Sequence, residues 1–267
     1  AMSLDREAVH LVPVRFFIDD KMEISDPLGL FGSKLDVDLN IITSLVTVLQ
    51  NITKAVNLAG YEVDEMIVSG AGTGLAVFEE GQMQNGAVLI DVGKELTESA
   101  IFVDGKMLDS FNFPFGGDDL TQALQDNLKI LFDEAEDMKI KYGIGARSEV
   151  TNLLLPRAEA IMEDIYKKLE PFLKNKKNLP HVSVVGGVAK MDGFIEIIEK
   201  VFKMPVSMGS IRSGGKLDDI TFACSFGLTK YGAKKIMTAR PAGRPYEPIG
   251  IAGRFITRIK SFVSEYF

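Results

Sequence analysis

The chain has 267 residues with 30 Lys and Arg against 37 Asp and Glu, a net charge of −7, and is 46% hydrophobic and 25% charged. That size and balance describe a globular protein with room for one large or two modest domains, and the acidic excess speaks against a nucleic-acid-binding surface. A single cysteine, Cys224, excludes a disulfide framework and suits a reducing cytoplasm, and with only His10 and His181 beside it no metal cluster is expected.

In chain order, residues 8–24 alternate apolar and polar and predict a strand hairpin that turns at Asp19-Asp20. The turn-rich stretch SDPLGLFGSK follows, then a strand over 35–44 and a helix over 47–59 with Gly60 as its C-cap. Residues 60–70 read as a further strand and 72–80 as a short helix, making a compact α+β module. GAVLIDVG (86–93) is a buried strand, and 99–114 a hairpin around Asp104-Gly105. Helices are predicted over 116–128, with Asp118 or Asp119 near the cap, and over 135–143, ended by Gly143. A long helix is expected from about Glu149 to Leu173, with a kink at Pro156 or a start near Leu155. Strand, glycine turn and helix entry occupy 181–194, a helix 194–202, a strand 205–209 and a closing helix 222–235.

The end of the chain has its own character. Arg240 to Pro248 (RPAGRPYEP) carries three prolines and a glycine and reads as an extended tether. Beyond it, Ile251, Phe255, Ile256, Ile259, Phe262, Val263, Tyr266 and Phe267 recur at spacings of three and four, which gathers them on one helical face. Arg254, Arg258 and Lys260 lie between them. Such a segment is too short and too charged to span a bilayer. It either docks on its own protein or lies in the plane of an anionic membrane surface, and the tether and basic face favour the membrane.

Several segments, in order, resemble the cell-division protein FtsA family of the actin-like superfamily. They are RxxxHLxPVRFFID (6–19), DPLGLFGSKLDVD (26–38), QNITKAVNLAGYEV (50–63), DVGKELTESAIFVDGK (91–106), FPFGGDDLTQAL (113–124), AEDMKIKYG (135–143), VVGGVAKMDGF (184–194) and FGLTKYG (226–232). The tail ending in Tyr-Phe resembles that family's membrane-targeting sequence. No one segment is specific; the series in register is, and it spans nearly the whole chain.

The resemblance implies an α/β architecture, with an α+β module joined to an actin-like, ribonuclease-H-type domain. It divides the chain into a small FtsA-type subdomain (1–80), an actin-like subdomain (81–143 with 181–237), a reduced helical insert (144–180), a linker (238–250) and the amphipathic helix (251–267). It implies a nucleotide cleft in which Gly116, Gly117, Glu136, Lys139, Gly186 and Gly187 border base and ribose, and in which ATP with magnesium is the ligand. Asp91, Gly93, Lys94 and Thr97 would form the second phosphate loop. There the family pattern Asp-hydrophobic-Gly-Gly-Gly-Thr-Thr-Asp is replaced by Asp91-Val92-Gly93-Lys94-Glu95-Leu96-Thr97-Glu98, which sets an anion where phosphates would sit.

The family's first phosphate hairpin is not among these residues, whether through truncation or in a natural short form. No catalytic residue is therefore assigned and ATPase activity is expected to be weak or absent. The implied partners are a tubulin-like FtsZ or other division proteins, membrane-surface lipids and further copies of the chain, at the inner face of the cell membrane. Arg157, at the Leu155-Pro156-Arg157 step of the long helix, is the candidate for pairing with an acidic peptide. A polymerising actin-like ATPase and a PilM-like pilus assembly protein are the alternatives; a PilM-like protein would lack the basic amphipathic tail.

Overall fold

The computed structural model describes residues 3–19, 22–24, 27, 29–145, 148–174, 180–211 and 219–238. A first sheet is built from β1 (Arg6–Ile18), β2 (Met22–Ile24) and β3 (Leu35–Leu45), all antiparallel, with β1 central. Its hairpin turns at Asp19, a residue that tolerates the positive φ of 51° found there, and the Asp19 carboxylate accepts from the Ser33 and Lys34 amides at the approach to β3. Pro13 sits in the central strand, where it is accommodated at a shift in register between Pro13 and Arg15. Helix α1 (Val46–Leu58) leaves β3 directly and ends at Ala59, with Gly60 beyond it at φ +84°.

Next come α2 (Ser69–Val77) and α3 (Glu80–Asn85), then the meander β4 (Ala87–Val92), β5 (Thr97–Val103) and β6 (Lys106–Phe113). Asp104 and Gly105, both at positive φ, close the β5–β6 hairpin as the Asp-Gly pair demands. Helices α4 (Gly117–Leu128), α5 (Phe132–Tyr142) and α6 (Glu149–Lys174) precede β7 (His181–Val185), α7 (Phe194–Phe202), β8 (Val206–Met208) and α8 (Ala223–Thr238). The second sheet has the order β6-β5-β4-β7-β8, with β7 and β8 parallel to β4. This mixed five-stranded order is the ribonuclease-H-type arrangement expected from the sequence. β4 lies at its centre, and Ala87 to Ile90 are buried on both faces, which is why that strand reads as a continuous apolar run.

Strand alternation divides β5 between two layers. Glu98, Ala100 and Phe102 face α2, which approaches so closely that a side chain at Gly70 would meet Ala100 and Glu98, and one at Gly74 would meet the Phe102 ring. Helix α8 packs on the outer side of α2, where a Cβ at Gly227 would run into the Gly72 backbone. The other layer holds α4, α6 and α7 in one continuous core, including Leu120, Leu124, Leu154, Met162, Ile165 and Ile198.

Two sequence expectations are corrected. Residues 61–68, read as a strand, form none; they run between α1 and α2 and are tied to β1 by the Val68 amide, which donates to His10 Nε2 at 3.0 Å. The helix expected over 72–80 begins at Ser69 and ends at Val77, because glycines that look like loop formers are what permit its contact with β5 and α8. A separate α3 follows, nucleated where the Glu79 amide donates to Gln82 Oε1. The long helix has the expected span: α6 runs from Glu149 to Lys174, through Pro156 and Pro171, and does not take the alternative start near Leu155. The buried stripe of Leu154, Ala158, Ile161, Met162, Ile165, Leu169 and Leu173 outweighs the hydrogen bonds those prolines remove. That stripe lies in the main core, within the stretch read as a reduced insert.

No helix among the described residues is long and apolar enough to cross a membrane. The amphipathic helix expected at 251–267 and the linker before it lie outside the described residues, Thr238 excepted.

Candidate functional site

The Gly116-Gly117 step opens α4 against the β4–β5 turn. The Gly116 amide donates to Asp119 Oδ2 at 2.9 Å, the Gly117 amide to Gly93 O at 3.0 Å, and the Asp118 amide to Lys94 O at 2.8 Å. A Cβ on Gly116 would lie 2.6 Å from the Gly93 and Lys94 carbonyls, so only glycine lets these two turns meet. Three amides at this helix start are thus satisfied by the chain itself.

Beside them, α5 presents Glu136 and Lys139 one turn apart. Lys139 is buried, and its ammonium has three partners for its three hydrogens: Gly117 O at 2.9 Å, Thr121 Oγ1 at 2.8 Å and Glu136 Oε2 at 2.6 Å. The Thr121 hydroxyl also donates to Glu136. Burial by itself would raise the Glu136 pKa, but hydrogen bonds from Lys139 and Thr121, with the Lys139 and Lys94 charges, hold it below the ordinary range. Glu136 keeps about a third of its side chain exposed.

On the far wall, Gly186 takes φ +93° beneath the end of β4, where any side chain would collide with Val92 O and Asp91 Oδ1. Gly187 next to it faces open space, with nothing within 4 Å of a Cβ built there. Asp91 is paired across β4–β5 with Glu98. Burial, and then the Glu98 charge, push its pKa up to about 6. Glu98 is itself held by the Ser69 hydroxyl and by the Gly70 amide at 2.9 Å, so it caps the start of α2. Thr97, expected in the phosphate loop, is fully buried and bonds Phe115 O at 2.8 Å. Lys94 is mostly exposed, 3.8 Å from Asp118, whose other oxygen is buried without a hydrogen-bond partner.

The structure therefore brings nine of the ten expected nucleotide residues around one cleft and gives Thr97 a structural bond instead. The nucleoside side of that cleft fits its ligand. Glu136 is partly exposed, with the Lys94 charge acting on it, and Gly187 leaves open space; together they offer an acceptor for ribose hydroxyls and room for a base. The phosphate side does not fit by itself: Glu95 stands where the family pattern has a glycine, Lys94 lies 3.8 Å from Asp118, and the Gly93 amide is bonded to Leu96 O. Arg157, expected to meet an acidic peptide, instead pairs with Asp119 at 2.5 Å and so braces the α4 cap from α6.

Sequence reasoning missed Thr121, Asp119 and Glu98. Thr121 was legible as the residue one helical turn after Gly117, on the face that meets Lys139. Glu98 stands where the family pattern has its last Asp. Asp119 was noted only as a cap candidate, and nothing in the sequence ties it to Arg157, 38 residues away.

Comparison with known proteins agrees with this geometry. The family described as cell division protein FtsA matches residues 88–227, and the SHS2 domain inserted in FtsA matches residues 1–43. The cell division protein FtsA of Pseudomonas aeruginosa is 26% identical over 298 residues, covering 100% of this chain and 72% of its own length. Among solved structures, the PilM–PilN type IV pilus biogenesis complex aligns over 86% of this chain and 68% of its own, with TM-score 0.67 and 16% identity. MreB 5 of Spiroplasma citri bound to AMPPNP aligns over 72% and 66%, with TM-score 0.58 and 18% identity. Those two likenesses establish an actin-like fold. The family match spans the sheet and the cleft just described, and on it the chain belongs to the cell division protein FtsA family.

Proposed function

We propose that the protein is a non-catalytic, membrane-associated adaptor of the division machinery, bringing an FtsZ-like tubulin homologue or other division proteins to the inner membrane face. The carrying observation is that the cleft is closed on itself. Lys139 has three partners in the protein, the α4 amides bond the β4–β5 turn, and Glu95 replaces a glycine of the phosphate loop. Such a site retains nucleoside-binding chemistry without the electrostatics that phosphoryl transfer needs. A nucleotide bound there would act as a clamp on the fold, not as a fuel.

Membrane association would use residues 251–267, outside the described part of the chain. Six to eight apolar side chains at roughly 1–2 kcal/mol each, less the cost of ordering the segment, give weak binding per copy, which self-association would strengthen. Sedimentation with anionic vesicles tests this: Phe255→Glu or Phe262→Glu should abolish co-sedimentation without lowering the melting temperature. Unchanged sedimentation of those variants would sink the reading. Titration of ATP with magnesium, followed by calorimetry and phosphate release, tests the other half. Binding without turnover agrees with it; sustained turnover favours the polymerising ATPase.

A further inference from the structure

Helix α1 is amphipathic, yet none of its residues is buried. Val48 and Ile52, one turn apart, are 43% and 47% exposed, and Leu58 and Tyr61 at the helix end are 79% and 72% exposed. Leu45 and Ala55 lie on the same exposed stripe. Among the described residues nothing covers this face. A helix of 13 residues with no buried side chain has little to hold it, since packing supplies most of a helix's stability.

The last described helix, α8, ends within reach of it. Lys235, near the end of α8, pairs with Glu65 at 2.5 Å and approaches Asp64 at 3.6 Å, and the Tyr231 hydroxyl donates to Glu65. Glu65 is four residues beyond Tyr61, at most ~13 Å of chain from the exposed end of α1. The 12 residues from 239 to 250 reach up to ~40 Å when extended, ample to carry residues 251–267 back along the helix.

Charge points the same way. The 29 residues after Thr238 hold five Lys and Arg against two Asp and Glu, so the tail carries +3 and the residues up to Thr238 carry −10, for the net −7. Acidic groups flank both ends of α1: Asp5, whose carbonyl accepts from the Val46 amide, and Glu62 and Asp64 after the helix. The apolar face of 251–267 matches the exposed stripe in kind, and Arg254, Arg258 and Lys260 match these flanking acids in sign.

We propose that residues 251–267 dock in cis on the exposed face of α1, with Phe255 and Phe262 against Val48, Ile52 and Leu58, so that the tail is held by the protein until a membrane competes for it. This rests on the reading of 251–267 as an amphipathic helix. It makes membrane binding a choice between two apolar surfaces, since one face cannot occupy both.

Hydrogen exchange read by mass spectrometry on the full chain, without lipid, tests it. In a Phe255→Glu/Phe262→Glu variant the amides of 46–58 should exchange on the order of tenfold faster than in the unsubstituted chain, while those of β4 and β7 do not change. Ile52→Asp, which alters the dock and leaves the tail intact, should raise the fraction sedimenting with anionic vesicles roughly twofold. Equal exchange over 46–58 in both proteins overturns the proposal even if vesicle binding depends on the tail, and so does unchanged or lower vesicle binding by Ile52→Asp where the unsubstituted chain binds vesicles. Tail-dependent protection that rises with protein concentration also overturns it, by placing the tail on a second copy. Tail-dependent, concentration-independent protection in a protein that binds no vesicles upholds the docking and removes the membrane reading instead.

Discussion

Replacing Lys139 by Met keeps the buried methylene stem and removes only the ammonium. Three interactions go with it: the bonds to Gly117 O and Thr121 Oγ1 and the ion pair with Glu136. The Gly117 carbonyl keeps the Thr121 hydroxyl as a donor, so the loss is that of the bonds made by the charged ammonium, each worth about 1.5–3 kcal/mol. Two effects reduce the sum. Glu136 is a third exposed, so water replaces much of its lost partner, and Met no longer has to be desolvated as a charge. The net expectation is a loss of about 2–4 kcal/mol, or roughly 5–10 °C in melting temperature for a chain of this size. Differential scanning fluorimetry without nucleotide measures it, with the exposed Lys141→Met on the same helix as the control. A ligand-binding lysine that serves only the bound state would behave oppositely: no change without nucleotide, and loss of the ATP-induced shift. A Lys139→Met protein melting within 2 °C of the unsubstituted chain would refute the self-closed cleft.

Asp91 provides a test by pH. Its pKa is raised to about 6 by burial and by Glu98, against 3.8 for the free group. The folded state therefore binds the proton more tightly than the unfolded one, so this group's contribution falls as pH rises from 4 through 6, to a cost of about 3 kcal/mol at pH 7. Asp91→Asn should stabilise the protein at pH 7, with a gain that vanishes below pH 4; urea melts across that range check the sign. The two glycines of α8 make a matched pair: Gly227→Ala, which meets the Gly72 backbone, should cost about 1–3 kcal/mol or more, whereas Gly232→Ala, facing open space, should gain up to ~1 kcal/mol. Equal effects at the two positions would mean that α2 and α8 do not touch. Glu98→Gln should weaken the α2 cap and lower the Asp91 titration midpoint, visible as a shift in the same urea series.

What the sequence disclosed tracked how local the cause was. The β5–β6 hairpin was legible because Asp104-Gly105 demands one turn type, and β4 because a strand covered on both faces has no polar side to show. The α2 region was not. Its glycines at 70, 72 and 74 are helical because of what lies opposite them, the Ala100 and Phe102 side chains and the α8 backbone, and no local pattern carries that. The span of α6 was legible from its apolar period, while its start well before Pro156 is secured by a stripe assembled in tertiary packing. At the site, Gly116, Gly117, Glu136, Lys139, Gly186 and Gly187 were found through the family pattern. That Lys139 faces inward, and that Arg157 is bound to Asp119, is set only by the approach of α5 and α6 to α4.

The inward turn of Lys139 bears on why an actin-like cleft would persist in an adaptor. In this chain the Glu136–Lys139–Thr121 network ties α5 to α4, Asp119 ties α4 to α6, and Glu98 ties β5 to α2. Each polar group at the cleft thus joins two elements that pack on the central sheet. Groups placed this way gain from a bound nucleoside only what its hydroxyls add to the acceptor still open, the exposed part of Glu136. The ligand would then stiffen a junction that already stands without it. A nucleotide effect on this protein should accordingly appear first as a shift in stability of a few degrees, and only through that in partner or membrane binding.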